Sequence, residues 1–295
     1  MIPATLLYAR AAQAELQIPP NSNCLEVFQY FSRWIPVLRA KRGSIKTLIV
    51  DSSAYGIWNT GADTRWAGYR ANLPSYLAFL QAHEADLHNC YKVNFDVIGV
   101  DDSAALSFRN YNTLCKAGIS NVLPVYHAEE ELADLQRYID AGAQYIGFGV
   151  QGLTQGEPYK KICATLDYLY THHPNIRVHL FGSILGSLLM RYPIYSCDSA
   201  TWVLAARFGG FFCGLDKRTM TIQRMSLDEV RKHPTIQNIR FLIAAGGDRS
   251  LLSKRGGMSR ETRVKIMGHN LSYYLALQEA LTEHWAARGV VYDES

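Results

Sequence analysis

Thr47-Leu48-Ile49-Val50-Asp51-Ser52-Ser53-Ala54 closes an apolar run on an aspartate and then on small residues, and Ile194-Tyr195-Ser196-Cys197-Asp198-Ser199-Ala200 repeats the word. A carboxylate at the end of a buried strand, followed by residues small enough to admit a ligand to the backbone, is how a parallel barrel presents acids at its catalytic rim. Two such ends point to paired carboxylate chemistry, in which one carboxylate attacks a sugar carbon and the other moves protons. Each word alone has a plainer reading, an aspartate capping a strand-to-helix turn.

Outward from these words the chain alternates. Short β-rich runs are expected at 5–8, 47–51, 93–98, 121–126, 144–149, 177–181, 194–198 and 210–213. Helical spacing is read between several of them, with Leu73, Tyr76, Leu77 and Leu80 on one face, and Ile162, Leu166 and Leu169 on another. Residues 128–141 open on Glu129, Glu130 and Glu131, an acidic first turn that suits the positive end of a helix dipole. Eight runs with intervening helices predict a (β/α)8 TIM-like barrel more readily than a doubly wound sheet. The expected organisation is a catalytic barrel over 1–215, with a basic loop and helical C-terminal extension over 216–295 completing the same domain. Residues 259–288 read as one or two helices.

Composition sets the class. The chain has 295 residues, 48% of them hydrophobic, enough for a large core. No apolar stretch reaches the roughly 18 to 20 residues of a membrane span. Met1-Ile2-Pro3-Ala4 lacks the charged start of a signal peptide, so a soluble, cytoplasmic protein is expected. Six cysteines, at 24, 90, 115, 163, 197 and 213, show no paired spacing and read as reduced thiols.

The net charge of +4 is modest, but its distribution is uneven. Lys217, Arg218, Arg224, Arg231, Lys232, Arg240, Arg249, Lys254, Arg255, Arg260 and Arg263 face only Asp228, Glu229, Asp248 and Glu261 over that segment. Arg249, Lys254, Arg255 and Arg260 lie on or beside a loop with paired glycines, Gly246-Gly247 and Gly256-Gly257, suited to phosphates. A solvated surface loop is the alternative.

Function is expected at the strand ends. Asp51, Asp96, Tyr126 with His127, Gly147-Phe148-Gly149, His179-Leu180-Phe181-Gly182 and Asp198 would converge on one mouth. Such a mouth suits a flat, hydrogen-bonding ligand such as a purine. An ionised carboxylate only accepts hydrogen bonds, so Asp96 is placed to receive the N–H groups of a guanine edge, and backbone N–H groups near Gly149 to donate to its oxygen. Phe148, between glycines, is the stacking candidate, ahead of Trp58, Trp66 and Trp202. His127 is read as a rim residue with a supporting hydrogen bond, His179 as a satisfied core histidine, and Asp101 and Asp102 as caps.

In this order and spacing the residues resemble the tRNA-guanine transglycosylase superfamily, over about Leu48 to Phe212. Asp51-Ser52-Ser53-Ala54-Tyr55 is similar to the family's Asp-Ser-Gly-Gly-Phe/Tyr motif, Asn94-Phe95-Asp96 to its base-holding strand, and Tyr145-Ile146-Gly147-Phe148-Gly149 to its base-contacting glycines. His179-Leu180-Phe181-Gly182 followed by Asp198 resembles the glycine-rich turn that leads to the nucleophile. The resemblance implies a barrel enzyme in which Asp198 is the nucleophile, Asp51 the proton carrier, and Asp96, Tyr126, Gly147, Phe148, Gly149 and His179 line the base site.

The departures redirect the polymer. Family members acting on tRNA carry a C-terminal CxCxxC zinc site with a later histidine, and no cysteine follows Cys213 here, so no metal or other cofactor is expected. Where the family has a glutamine, the resemblance places Tyr126. The chain is more similar to the shorter phage and bacterial branch that inserts 7-deazaguanine bases into DNA. The expected reaction is therefore exchange of guanine in DNA for a 7-deazaguanine base through a covalent aspartyl-glycosyl intermediate, Arg249, Lys254, Arg255 and Arg260 holding phosphates. Expected partners are DNA, a free 7-deazaguanine base, and a partner protein or second copy of the chain. tRNA exchange, nucleoside hydrolysis and a non-catalytic nucleic-acid-binding subunit are the alternatives.

Overall fold

The structure, a computed structural model, describes residues 6–8, 22–28, 35, 39–40, 45–150, 153–253 and 258–291. Among these the chain divides into two compact units, the first ending at Ser183 and the second starting at Ile184. Asp198 belongs with the C-terminal unit.

The first unit contains eight strands, β1 Leu6–Tyr8, β2 Ser22–Val27, β3 Ile45–Asp51, β4 Tyr91–Val93, β5 Val122–Leu123, β6 Val125–His127, β7 Tyr145–Gly149 and β8 Arg177–Phe181. β1 to β5 pair side by side in chain order, as do β6 to β8, and every pair is parallel. Pro124 interrupts the ladder between β5 and β6, because proline has no N–H to give. Its carbonyl still accepts from Gly147 N at 2.8 Å. Parallel neighbours need crossover segments, and the helices Ala62–Ala82, Ser103–Lys116, Leu132–Asp140 and Gly156–His172 supply them. The molecule is thus of the α/β class. Leu48, Ile49 and Val50 are all at most 1% exposed, as befits a strand covered on both faces.

Several expected elements differ. The run expected at 93–98 is a strand only over Tyr91–Val93. Beyond it, side chains take the place of the ladder: Asn110 Nδ2 donates to Phe95 O, Ser107 Oγ accepts from Val97 N, and the Tyr69 hydroxyl accepts from Ile98 N. With its backbone groups satisfied this way, residues 95–98 leave the sheet and Asp96 is freed from strand geometry. The helix expected from 128 begins only at Leu132, with Glu131 and Asp134 forming a reciprocal capping box, which puts Glu130 outside the helix and buries it. Asp102 occupies the cap position of Ser103–Lys116 in the left-handed region, φ 56°, without a side-chain cap bond.

In the second unit, β9 Ser196–Cys197 precedes the helix Thr201–Arg207. The run expected as a last parallel strand at 210–213 is instead β10, Gly210–Asp216, paired antiparallel with β11, Thr221–Ser226. The four residues between them leave no room for a crossover helix, so only a hairpin can form. The residues expected as one or two helices form a single helix, Arg260–Ala286. Its fully buried Asn270 ties the unit together: Oδ1 accepts from Phe212 N at 2.8 Å, and Nδ2 donates to Trp202 O at 2.9 Å. No helix among the described residues is long and apolar enough to cross a membrane.

Candidate functional site

The two Asp-Ser words have different local structures. Asp51 ends β3, and its Oδ1 accepts from Ser53 N at 2.6 Å, fixing the turn into the helix Ala54–Trp58. Ser53 there sits in the left-handed region, φ 70°. After Asp198 the turn is held by the next residue instead: Ser199 Oγ accepts from Thr201 N at 3.2 Å and pairs with Thr201 Oγ1 at 2.8 Å. Asp198 itself is 4% exposed. Burial, with the Asp198 charge beside it, pushes the Cys197 thiol up to about 12. Burial likewise raises the Tyr274 hydroxyl, which faces Ser199 and Thr201 and feels Cys197 and Asp198. A carboxylate this close keeps its neighbours protonated, so the nearby thiol is no nucleophile at neutral pH.

Asp51 ends β3, and Asp96 lies three residues beyond the end of the adjacent β4. β3 pairs with β4, and the buried Tyr76 hydroxyl bridges them, donating to Val93 O at 2.9 Å, with Val50 O at 3.3 Å. Burial first, and then the charges of Asp51 and Asp96, hold Tyr76 well above its ordinary value. Asp96 Oδ2 meets His127 Nε2 at 2.8 Å, and His127 N donates to Glu130 Oε2 at 3.1 Å. His127 is therefore more than a rim residue with a supporting bond: it forms a buried ion pair with the proposed base-binding carboxylate. Burial opposes its charge, but the hydrogen bond and charge of Asp96, with Glu130 and Glu129, raise it to about 9. Burial raises Glu130 to about 7 despite the nearby His127, and Glu130 Oε1 has no hydrogen-bond partner.

This cluster has a measurable consequence. Both folded values lie above the ordinary 6.5 and 4.5, so the folded chain holds protons that the unfolded chain releases. The His127 contribution is complete below 6.5 and disappears as pH rises through about 9; the Glu130 contribution is complete below 4.5 and disappears as pH rises through about 7. Urea unfolding should therefore show stability falling by about a few kcal/mol between pH 5 and pH 9. Glu130→Gln should flatten the lower part of that slope and His127→Gln the upper part. Stability rising with pH over this interval would contradict the assignment.

The strand registers decide which predicted residues reach the Asp96 side. Tyr126 pairs with Phe148, and His127 with Gly149. Because faces alternate along a strand, His127, Gly147, Gly149 and His179 share one face while Tyr126 and Phe148 share the other. Tyr126 and Phe148 are fully buried, with rings 5.4 Å apart, and the Tyr126 hydroxyl donates to Glu130 O and approaches Thr165 of the helix Gly156–His172. Both are packing residues of the helix-facing layer, and the structure does not bring them to Asp96. The glycines do share the face of His127, but the space they leave is already used. A Cβ on Gly147 would overlap the Phe181 ring, and one on Gly149 the His127 ring. His179 is buried, with Nδ1 3.5 Å from the Tyr145 hydroxyl and its ring 4.3 Å from Phe181, in keeping with a core histidine.

An aromatic that no role was read for stands after Asp51. Tyr55 is 43% exposed, 5.4 Å from Trp58, over which Arg65 lies at 5.4 Å. Its place in the Asp51 word was the available signal. Arg249 and Arg260 are exposed, whereas Lys254 and Arg255 lie outside the described residues. The loop carrying Arg249 is less open than its composition suggests: Arg249–Leu252 is a 3-10 turn capped by Asp248, Leu251 is buried, and Arg231 Nε donates to Leu251 O at 2.9 Å. Among the described residues no cluster of three His, Cys, Asp or Glu side chains is arranged to hold a metal ion. Compared with known proteins, no family model matches the sequence, and no curated protein matches it.

Proposed function

We propose that this chain is a glycosyl-exchange enzyme, which replaces guanine in DNA by a 7-deazaguanine base. The observation that carries the reading is the buried Asp96–His127 pair just beyond the ends of parallel strands, in the unit that also holds Asp51, where a carboxylate can accept from the N–H groups of a guanine edge. The (β/α)8 architecture belongs to the same reading. It is supported by the parallel strands that follow one another in space in chain order, and by the carboxylates standing at their C-terminal ends.

In the mechanism, Asp198 attacks C1′ of the target nucleotide while guanine departs with a proton, forming a glycosyl ester on the carboxylate. Asp51 supplies that proton and then takes one from the incoming base, whose nitrogen displaces Asp198 and restores the N-glycosidic bond. The displacement needs no metal. Tyr55 and Trp58 offer a stacking surface beside Asp51 for the base. Because C1′ lies within a stacked duplex, the nucleotide is flipped or single-stranded when it reacts. Exposed Arg218, Arg224, Arg249 and Arg260 supply phosphate contacts, and a cytoplasmic setting accompanies DNA as substrate.

The test is incubation with labelled guanine or 7-cyano-7-deazaguanine and duplex DNA, single-stranded DNA or tRNA. Label entering DNA supports the reading. Label entering tRNA alone overturns the choice of polymer, and release of free base without exchange makes the protein a hydrolase. Binding without either reaction makes it a non-catalytic subunit.

A further inference from the structure

In the C-terminal unit one helix is packed on one side only. The helices Leu227–Lys232 and Ile236–Ala244 are joined by the turn His233-Pro234-Thr235, which is pinned from within. Thr235 Oγ1 accepts from Asn238 N at 3.1 Å, and Asn238 Nδ2 donates to His233 O at 2.8 Å. Leu227 and Val230 of the first helix and Leu242 of the second are buried in one cluster with Ile266, and Ile239 and Phe241 pack against it. At about 3.6 residues per turn, the opposite side of the second helix carries Ile236, Gln237, Arg240, Ile243 and Ala244, all of them exposed. Ile236 is 74% exposed and Ile243 48%, so this is not the charged, solvated face that a surface helix normally turns outward.

The charge around this face is positive. Asp228 pairs with Arg231, Glu229 caps Ser226, Asp248 caps the 3-10 turn Arg249–Leu252, and Glu261 pairs with Lys265, so the acids of the segment are engaged by the chain itself. Arg240 and Arg249 are exposed, with no ion pair among the described residues. Arg231 donates to Leu251 O and Ser253 O, which ties the turn carrying Arg249 to the first helix.

A partner for this face is anionic and presents hydrogen-bonding edges together with small apolar groups. The major groove of duplex DNA does so: arginine forks onto guanine, glutamine onto adenine, and apolar side chains meet the thymine methyl. A helix held by a short turn against a second helix is also the element that enters that groove. A lipid surface takes an unbroken apolar face, and here Arg240 stands between the two isoleucines. We propose that the exposed face of Ile236–Ala244 reads duplex DNA in the major groove. Gln237 and Arg240 bond base edges, Ile236 and Ile243 meet thymine methyls, and Arg249 meets a flanking phosphate. The proposal rests on the reading that DNA is the substrate polymer and deepens it. Asp198 belongs to the same unit, so this face selects where along the DNA exchange takes place.

The experiment selects duplexes from a random-sequence pool with the full chain. Binding of the recovered duplex and of a mixed-sequence duplex is then measured for the unsubstituted protein, Gln237→Ala, Arg240→Lys and the double variant Ile236→Ala/Ile243→Ala. All four side chains are exposed, so the substitutions leave the core intact. The recovered duplex should bind about tenfold or more tighter than the mixed one, the worth of a good bidentate base contact. Arg240→Lys keeps the charge but loses the fork, so it should shrink that ratio severalfold while mixed-sequence binding stays. Gln237→Ala should relax the preference at one base pair. Uracil in place of thymine should weaken binding to the unsubstituted protein but not to the double variant. A pool that yields no preferred sequence, or a preference that all three variants keep, overturns the proposal. So does sedimentation showing a dimer that the double variant abolishes, because the face would then belong to a second copy of the chain. Exchange of labelled guanine into DNA is followed alongside. Exchange without sequence preference removes the proposal and leaves the exchange reading. Selective binding without exchange removes the exchange reading and leaves the DNA-reading face. Neither binding nor exchange removes both.

Discussion

Asp198→Asn should lower base exchange by about a thousandfold or more while leaving the unfolding transition nearly unchanged. An amide cannot form the glycosyl ester, and losing a covalent nucleophile removes the whole two-step route rather than one interaction within it. The substitution is nearly isosteric, and the turn it sits in is held by Ser199 and Thr201, so the backbone should stay in place. Denaturing gel analysis of the unsubstituted protein mixed with DNA should show a protein–DNA adduct that Asp198→Asn cannot form. Exchange surviving in Asp198→Asn, at more than about a tenth of the original rate, would remove Asp198 from the mechanism.

Asp96→Leu should be the most destabilising of the site substitutions, costing about 3–5 kcal/mol, because it leaves the buried His127 without its counter-charge. The companion His127→Leu change should recover much of that loss, since a buried pair replaced by apolar groups on both sides is often close to neutral. Urea midpoints for the two single variants and the double variant close a cycle. A double variant whose loss equals the sum of the single losses would show that the pair is not coupled. Exchange activity gives the separating readout: the stability of the double variant returns, but its base selection does not.

Part of the fold was legible in the chain because it depends on local rules. Asp51 was placed by an apolar run ending in small residues, and β3 ends on it. The alternation of runs and helices gave the α/β class, since a parallel pair demands a crossover. Glu130 was not legible. Within Glu129, Glu130 and Glu131 every residue looks like a first-turn acid, and only the later start of the helix at Leu132 assigns one to the cap and another to the interior. Phe148 illustrates the opposite error. Its flanking glycines suggested an open wall, but the register with Tyr126 turned it to the helix layer and gave the glycine space to Phe181 and His127.

The sequence by itself determined the alternation of strands and helices, the carboxylate at the end of β3 and the concentration of cations after Lys217. These follow from residue type and spacing along the chain, where apolar runs and small residues act locally. Only the tertiary structure decided which neighbour each side chain meets. Sidedness depends on register, where a shift of one residue exchanges the two faces of a strand. That is why His127, not Tyr126, reaches Asp96, and why a carboxylate and an imidazole 31 residues apart share one buried bond.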